Sequence, residues 1–225
     1  PACKVIDAML SSEPKQAQAP IAQHYVDTST TSVPAPYRGI GAEMAAWLCR
    51  GYLALVGWKM RGQWPDLPKM VLLAAPHTSN WDGLLMLATA GAYRIKLQWM
   101  GKKSLAQGPF GGIMRALGVM PVDRNAANGL VGSVSDAIAK ASNVILAISP
   151  EGTRAPVAEW KRGFYLIAHA ANVPIVFSVL DFKTKIVSIS GWLMPSGDFD
   201  ADWPLIRSHY ARAEGKYNQN FILPA

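Results

Sequence analysis

Apolar residues recur along this chain in two rhythms. Val71–Ala75, Val119–Val122, Val144–Ser149 and Pro174–Leu180 are short, nearly unbroken apolar runs. Runs of that length, rich in β-branched residues, read as strands covered on both faces. Leu97–Met100 and Lys185–Ile189 read as two further strands. Between them, Trp81–Tyr93, Phe110–Leu117, Leu130–Ala141, Gly163–Ala171 and Trp203–Ala213 carry apolar positions three or four apart, the spacing of a helix face. Strands that alternate with helices predict an α/β fold, a mostly parallel mixed sheet flanked by helices.

Ahead of this alternation the pattern changes. Residues 1–38 read as a flexible leader or tag, with Ser, Thr, Pro, Ala and Gln dominating 11–36. Residues 39–66 read as an N-terminal amphipathic helix and linker, and 67–225 as the α/β domain. Ile40, Met44, Trp47, Leu48, Gly51, Leu55 and Trp58 share one helical stripe, and Lys59 and Arg61 follow where cations suit a helix C-terminus. That stripe fits a helix packed on the core, or one lying on a membrane with its Trp residues at the interface. Glu43 and Arg50 break the run from Gly39 to Trp58, so it is too short to span a bilayer.

Composition narrows the partners. Of 225 residues half are apolar, enough for one domain of ordinary size, and 22 basic against 15 acidic residues give a net charge of +7. Such a chain favours anionic partners, phosphate esters or acidic lipid surfaces. No run of five Lys or Arg and no basic–aromatic interleaving is present, which argues against nucleic acid. The two cysteines, Cys3 and Cys49, have neither metal nor disulfide-framework spacing. Cys49, in the apolar helix, reads as a small core residue. No signal-peptide pattern opens the sequence.

The chemistry gathers at strand ends. Val71–Ala75 leads into Pro76 and then His77-Thr78-Ser79-Asn80-Trp81-Asp82. On one regular helix a five-residue offset turns by about 500°, so the imidazole and carboxylate would not meet. Pro76 changes this by leaving His77 in a loop, with the helix starting at Thr78 or Ser79 and Asp82 in its first turn. The imidazole can then fold back onto the carboxylate, which would fix its tautomer and free the other nitrogen as a base. Ser79-x-x-Asp82 also reads as a plain capping box. Pro150-Glu151-Gly152-Thr153-Arg154 follows the strand at 144–149, with a Gly that permits a tight turn and an Arg whose planar fork suits phosphate. Arg124 ends Gly118-Val119-Met120-Pro121-Val122-Asp123-Arg124, and Lys102 and Lys103 follow the strand at 97–100. Each block alone has an ordinary surface explanation. In this order they place a base beside an anion-binding pocket. No G-x-S-x-G elbow is present and no Ser or Cys stands out with its own base, so an acyl-enzyme is not needed.

The four blocks His77-x4-Asp82, Gly118–Arg124, Pro150–Arg154 and Val173-Pro174-Ile175-Val176 resemble the signature of the glycerolipid acyltransferases, the 1-acylglycerol-3-phosphate and related lysophospholipid acyltransferases. The resemblance runs from Ile40 to Phe221, and Lys161-Arg162-Gly163 also fits it. Pro76 and Asn80-Trp81 are similar to a small bacterial subgroup. The resemblance implies transfer of a fatty acyl group from acyl-CoA or acyl-carrier protein to a lysophospholipid hydroxyl, with 1-acylglycerol-3-phosphate the expected acceptor. It implies His77 as general base and Asp82 as its orienting partner. Lys102, Arg124, Glu151, Gly152, Thr153 and Arg154 would hold the acceptor, and Val173–Val176 would shape a pocket. No metal cluster is visible in the sequence, and no cofactor beyond the acyl donor is expected. The apolar helix from Ile40 to Trp58, with Lys59 and Arg61 at its end, predicts a peripheral place on an anionic surface, at the cytoplasmic face of the inner or plasma membrane. A hydrolase or thioesterase that uses the same pair on water, and a silent membrane lipid-binding protein, are the alternatives.

Overall fold

The computed structural model describes residues 25–26, 39–62, 64–65, 67–116, 118–122 and 129–225. In chain order the elements are β1 (Tyr25–Val26), α1 (Ile40–Leu55), β2 (Lys59–Arg61), β3 (Trp64–Pro65), β4 (Lys69–Ala75), α2 (Asn80–Ala92), β5 (Gln98–Lys102), α3 (Lys103–Gln107), α4 (Gly111–Ala116), β6 (Val119–Val122), α5 (Gly129–Lys140), β7 (Val144–Ile148), α6 (Gly163–Ala170), β8 (Ile175–Asp181), β9 (Ile186–Leu193) and α7 (Phe199–Tyr210). Seven strands form one sheet in the order β2-β9-β8-β4-β7-β5-β6; within it, among the described residues, β8–β9 pair antiparallel and the other neighbours pair parallel. This is the mostly parallel mixed sheet that the alternation predicts. The leader at 1–38 lies outside the described residues except for Tyr25–Val26, which pair antiparallel with Trp64–Pro65.

Burial follows from the sheet's direction. The parallel strands β7 and β8 are buried almost throughout, because helices cover both faces. On β4, Val71, Leu73 and Ala75 face a core made with α5, α6 and α7, while Met70 and Leu72 face a second core beside α2. β9 alternates instead, with Val187, Ile189, Gly191 and Leu193 buried and their neighbours more exposed.

Three sequence expectations change here. The N-terminal helix ends at Leu55, so Trp58 is not on its stripe; Trp58 is 8% exposed and packs edge-on against Phe182 at 4.8 Å. Lys59 and Arg61 do not cap that helix but lie on β2, parallel to β9, inside what reads as linker. The last helix begins at Phe199 rather than Trp203, because the Asp198 carboxylate caps it by accepting the N–H groups of Asp200 and Ala201 at 3.0 and 3.2 Å.

α1 lies against α2 through Ala46, Cys49 and Leu53. Its two charges serve that contact: Glu43 pairs with Arg94, and the Arg50 guanidinium donates to the Ala92 carbonyl at 2.9 Å. The outer face, Ile40, Met44, Trp47, Leu48 and Leu55, is left exposed, and Trp47 is 74% exposed.

The corrected positions of the two Trp residues can be checked. Trp58→Ala should cost about 3–5 kcal/mol, the range for emptying a buried Trp site. Trp47→Ala should stay within about 0.5 kcal/mol, as for an exposed side chain. Urea unfolding of the two variants reads the difference, and equal losses would contradict the placement.

Candidate functional site

Strands β4 and β7 are parallel neighbours in register, Leu73 opposite Ile148, so both chains leave the sheet at the same edge. Carboxyl ends of adjacent parallel strands are where α/β folds build sites. From β4 the chain runs through Pro76 to His77, Thr78 and the N-cap Ser79, and α2 begins at Asn80. Asp82 therefore falls in the first turn, and His77 folds back so that its Nδ1 stands 3.3 Å from Asp82 Oδ2. The carboxylate is nearly enclosed, while the imidazole is one-third exposed. With Nδ1 turned to Asp82, Nε2 is the nitrogen available to a substrate.

Asp82 does two tasks at once. Its Oδ2 accepts the Thr78 N–H at 2.6 Å and the Ser79 N–H at 2.7 Å, and its Oδ1 accepts the Ser79 hydroxyl at 2.5 Å. The carboxylate of a capping box and the partner of the imidazole are the same group. Burial pushes its pKa up, but the hydrogen bonds from His77 and Ser79 outweigh that and hold it below the ordinary value. It faces His77 ionised, where an N-terminal helix turn also favours negative charge.

Glu151, from the β7 loop, reaches across to the same backbone. It is 2% exposed; Oε1 accepts the His77 N–H at 2.9 Å and Oε2 accepts the Ser149 hydroxyl at 2.7 Å. Burial raises its pKa against the pull of these hydrogen bonds. Tyr210 lies close enough for the Glu151 charge to join burial in raising the Tyr210 phenol, whose hydroxyl donates to the Leu73 carbonyl at 2.8 Å. The backbone N–H groups of His77, Thr78 and Ser79 are thus all taken by carboxylates.

Gly152 turns with φ +64°, a left-handed conformation that favours glycine, and a Cβ there would stand 2.9 Å from Lys161 Nζ. The Lys161 ammonium therefore sits over the Glu151–Arg154 loop. Thr153 is exposed and its hydroxyl accepts the Ala155 N–H at 3.3 Å. The exposed Arg154 guanidinium donates to the Asn80 side-chain oxygen, so the second loop touches the first turn of α2. Arg162 works elsewhere, over the Phe199 ring and paired with Asp200. Lys102 is the last residue of β5, which neighbours β7. Arg124 follows β6 and lies outside the described residues.

The structure brings together His77, Asp82, Glu151, Gly152 and Arg154. It does not bring the Val173–Val176 block to them. Ile175 is paired with Val71, whereas Ala75, next to the site, is paired with Val179. Four residues of strand, roughly 13 Å, separate that block from the carboxyl edge, and Ile175 and Val176 are fully buried core. Ser149, which adjoins the Pro150–Arg154 block, is a contact the sequence reading did not single out, and Asn80, inside the first motif, has a contact to Arg154 that the motif does not reveal. Among the described residues no group of three His, Cys, Asp or Glu side chains is placed to hold a metal.

A family model described as Acyltransferase matches residues 65–180, more than half of the chain. The chain belongs to the Acyltransferase family and is an acyltransferase. The crystal structure of the 1-acyl-sn-glycerophosphate (LPA) acyltransferase PlsC from Thermotoga maritima has a similar fold, with TM-score 0.53 and 14% sequence identity over 76% of this chain and 78% of that one. A search of curated protein sequences gave no match.

The two carboxylates should affect stability with opposite sign. Asp82, with its pKa lowered, contributes stability above the ordinary Asp value, and loses it as pH falls through the lowered value. Glu151, with its pKa raised, contributes below the ordinary Glu value and loses that as pH rises through the raised one. Glu151→Gln retains an acceptor for the His77 N–H, so its loss of stability should be larger in acid than at neutral pH. Glu151→Leu strands the His77 N–H and should cost about 1–3 kcal/mol at both. Urea midpoints at the two pH values check this, and a Gln loss that grows toward neutrality would contradict it.

Proposed function

We propose that this acyltransferase moves a fatty acyl group from an acyl thioester, acyl-CoA or acyl-carrier protein, to the hydroxyl of a lysophospholipid, with 1-acylglycerol-3-phosphate the acceptor of choice. The observation that carries the reading is the His77–Asp82 contact at the carboxyl edge of the sheet, which turns Nδ1 to the carboxylate, with Arg154 bonded to Asn80 on the first turn of the helix that carries Asp82. Nε2 removes the acceptor's hydroxyl proton as that oxygen attacks the thioester carbonyl. The tetrahedral intermediate collapses, the C–S bond breaks, and the imidazolium returns the proton to the departing thiolate. Asp82 stabilises the imidazolium formed in between. The His77, Thr78 and Ser79 N–H groups are held by carboxylates, so the oxyanion is stabilised by other donors. Arg154 supplies positive charge for the acceptor's phosphate, a role the resemblance also gives Lys102 and Arg124; Glu151 and Gly152 shape the loop that carries Arg154. The Thermotoga maritima protein of similar fold is a 1-acyl-sn-glycerophosphate acyltransferase, which supports this acceptor.

His77→Ala should lower turnover at least about 10³-fold in a protein that still folds, and Asp82→Asn by about 10²–10⁴-fold, since loss of an orienting acid has cost about 10⁴ in a serine protease. Arg154→Ala should raise the acceptor KM more than the donor KM, and Arg154→Lys should restore only part because the planar fork is lost. The assay separates acyl transfer from hydrolysis by product analysis with and without lysophospholipid. Wild-type turnover in folded His77→Ala would overturn the base, and equal use of a phosphate-free acceptor would overturn the phosphate assignment.

The same reading includes peripheral binding to an anionic membrane surface on the cytoplasmic side, where lysolipid substrates partition. Its support is the exposed stripe Ile40, Met44, Trp47, Leu48 and Leu55, whose charged neighbours Glu43 and Arg50 are engaged by α2, together with exposed Trp81, Leu84 and Leu87 on α2 itself. Among the described residues no helix is long and apolar enough to cross a membrane. Sedimentation with vesicles should rise with anionic lipid and fall with salt, since surface charge attraction is screened. Trp47→Glu should weaken it several-fold; a protein indifferent to anionic vesicles at low salt would overturn the reading.

A further inference from the structure

The chain after α7 returns to the catalytic edge. Glu214 fastens it beside the end of β8: its N–H donates to Asp181 Oδ1 at 3.1 Å, its carbonyl accepts the Phe182 N–H at 2.8 Å, and its carboxylate pairs with Lys183 at 2.5 Å. The next residues lie on the two site loops. The Tyr217 N–H donates to Thr78 Oγ1 at 3.2 Å, and the Lys216 ammonium stands 4.7 Å from the centre of the Trp81 ring. Asn220 Nδ2 donates to the Arg154 carbonyl at 3.1 Å. Gly215 is buried so tightly on Thr78 that an added Cβ would stand 2.7 Å from Cγ2 and 2.8 Å from Oγ1.

Thr78 is the residue through which this matters. It follows His77 directly, is 3% exposed, and donates its N–H to Asp82. Its backbone is therefore held by the carboxylate and its hydroxyl by the strap, from opposite sides. A strap that shifted would move Thr78, and with it the one peptide joining His77 to the Asp82 anchor.

We propose that Glu214–Asn220 is a positioning strap of the active site, which sets the His77–Asp82 geometry by holding Thr78 between Gly215, Tyr217 and Asp82. It rests on the assignment of His77 and Asp82 as base and partner. No residue of the strap needs to touch substrate: Gly215 and Tyr217 act through Thr78.

The test uses the full-length protein, with hydrogen exchange of the 76–83 segment and steady-state kinetics measured on Gly215→Ala, Thr78→Ala and the double variant. Gly215→Ala should speed exchange of the Thr78 and Ser79 amides at least about tenfold, leave the β8 amides unchanged, and lower kcat at least about tenfold with acceptor KM within about threefold. In the Thr78→Ala background, where Cγ2 and Oγ1 are gone, the same Gly215→Ala change should lower kcat less than about threefold further. If Gly215→Ala fails to fold, Thr78→Val serves: it keeps the bulk, removes the acceptor of the Tyr217 N–H, and should also speed exchange and lower kcat. Unchanged exchange in the folded variants, or fully multiplicative losses in the double variant, would overturn the strap. Faster exchange with unchanged kcat would also overturn the strap as a positioning element, whereas failure of the base assignment itself shows separately, as wild-type turnover in folded His77→Ala.

Discussion

Three consecutive backbone N–H groups, those of His77, Thr78 and Ser79, end on two carboxylates, and the site depends on this. A loop that leaves a buried strand must satisfy its donors or carry a penalty for each. Here Glu151 takes the first and Asp82 the next two. These three bonds fix the backbone on which the imidazole is carried. The two carboxylates come from different strand ends, 69 residues apart in sequence, and both are buried.

The electrostatics follow from that enclosure. Asp82 is surrounded by donors and stays ionised despite burial, while Glu151 has fewer donors and a deeper position, and is pushed toward its neutral form. Two carboxylates within one loop's reach are thereby driven in opposite directions by their surroundings, and only Asp82 faces the imidazole directly.

Much of this was legible from residue order. Helix and strand alternation gives the fold class, because parallel strands covered on both faces must be continuous apolar runs, and Val71–Ala75 and Val144–Ile148 are such runs. The break at Pro76 explains how His77 and Asp82 can meet. What escaped depends on tertiary contact. Glu151 reads as a substrate contact, and the hydrogen bond it accepts from the His77 N–H is a tertiary contact that its motif does not reveal. Trp58 has the helical phase of Trp47, and only the helix stop at Leu55 separates core from surface. Val173–Val176 is spaced like a site motif, yet the parallel register puts it at the other end of its strand. The chain near Gly215 carries no local signature, since its meaning lies in Thr78, more than a hundred residues earlier.

The sheet order has a consequence for how the molecule is made. β4 lies between β7 and β8, both of which follow it by some seventy residues or more. During synthesis, at about 5–20 residues per second, the apolar run Val71–Ala75 emerges several seconds before either lateral partner. Its ladder is therefore non-local, a pairing that closes slowly because loop entropy must be overcome first. The nascent chain passes through a stage in which its central strand is made and its edges are open. His77, at the end of that strand, acquires the Glu151 acceptor for its backbone N–H only when the second half of the protein has folded around it.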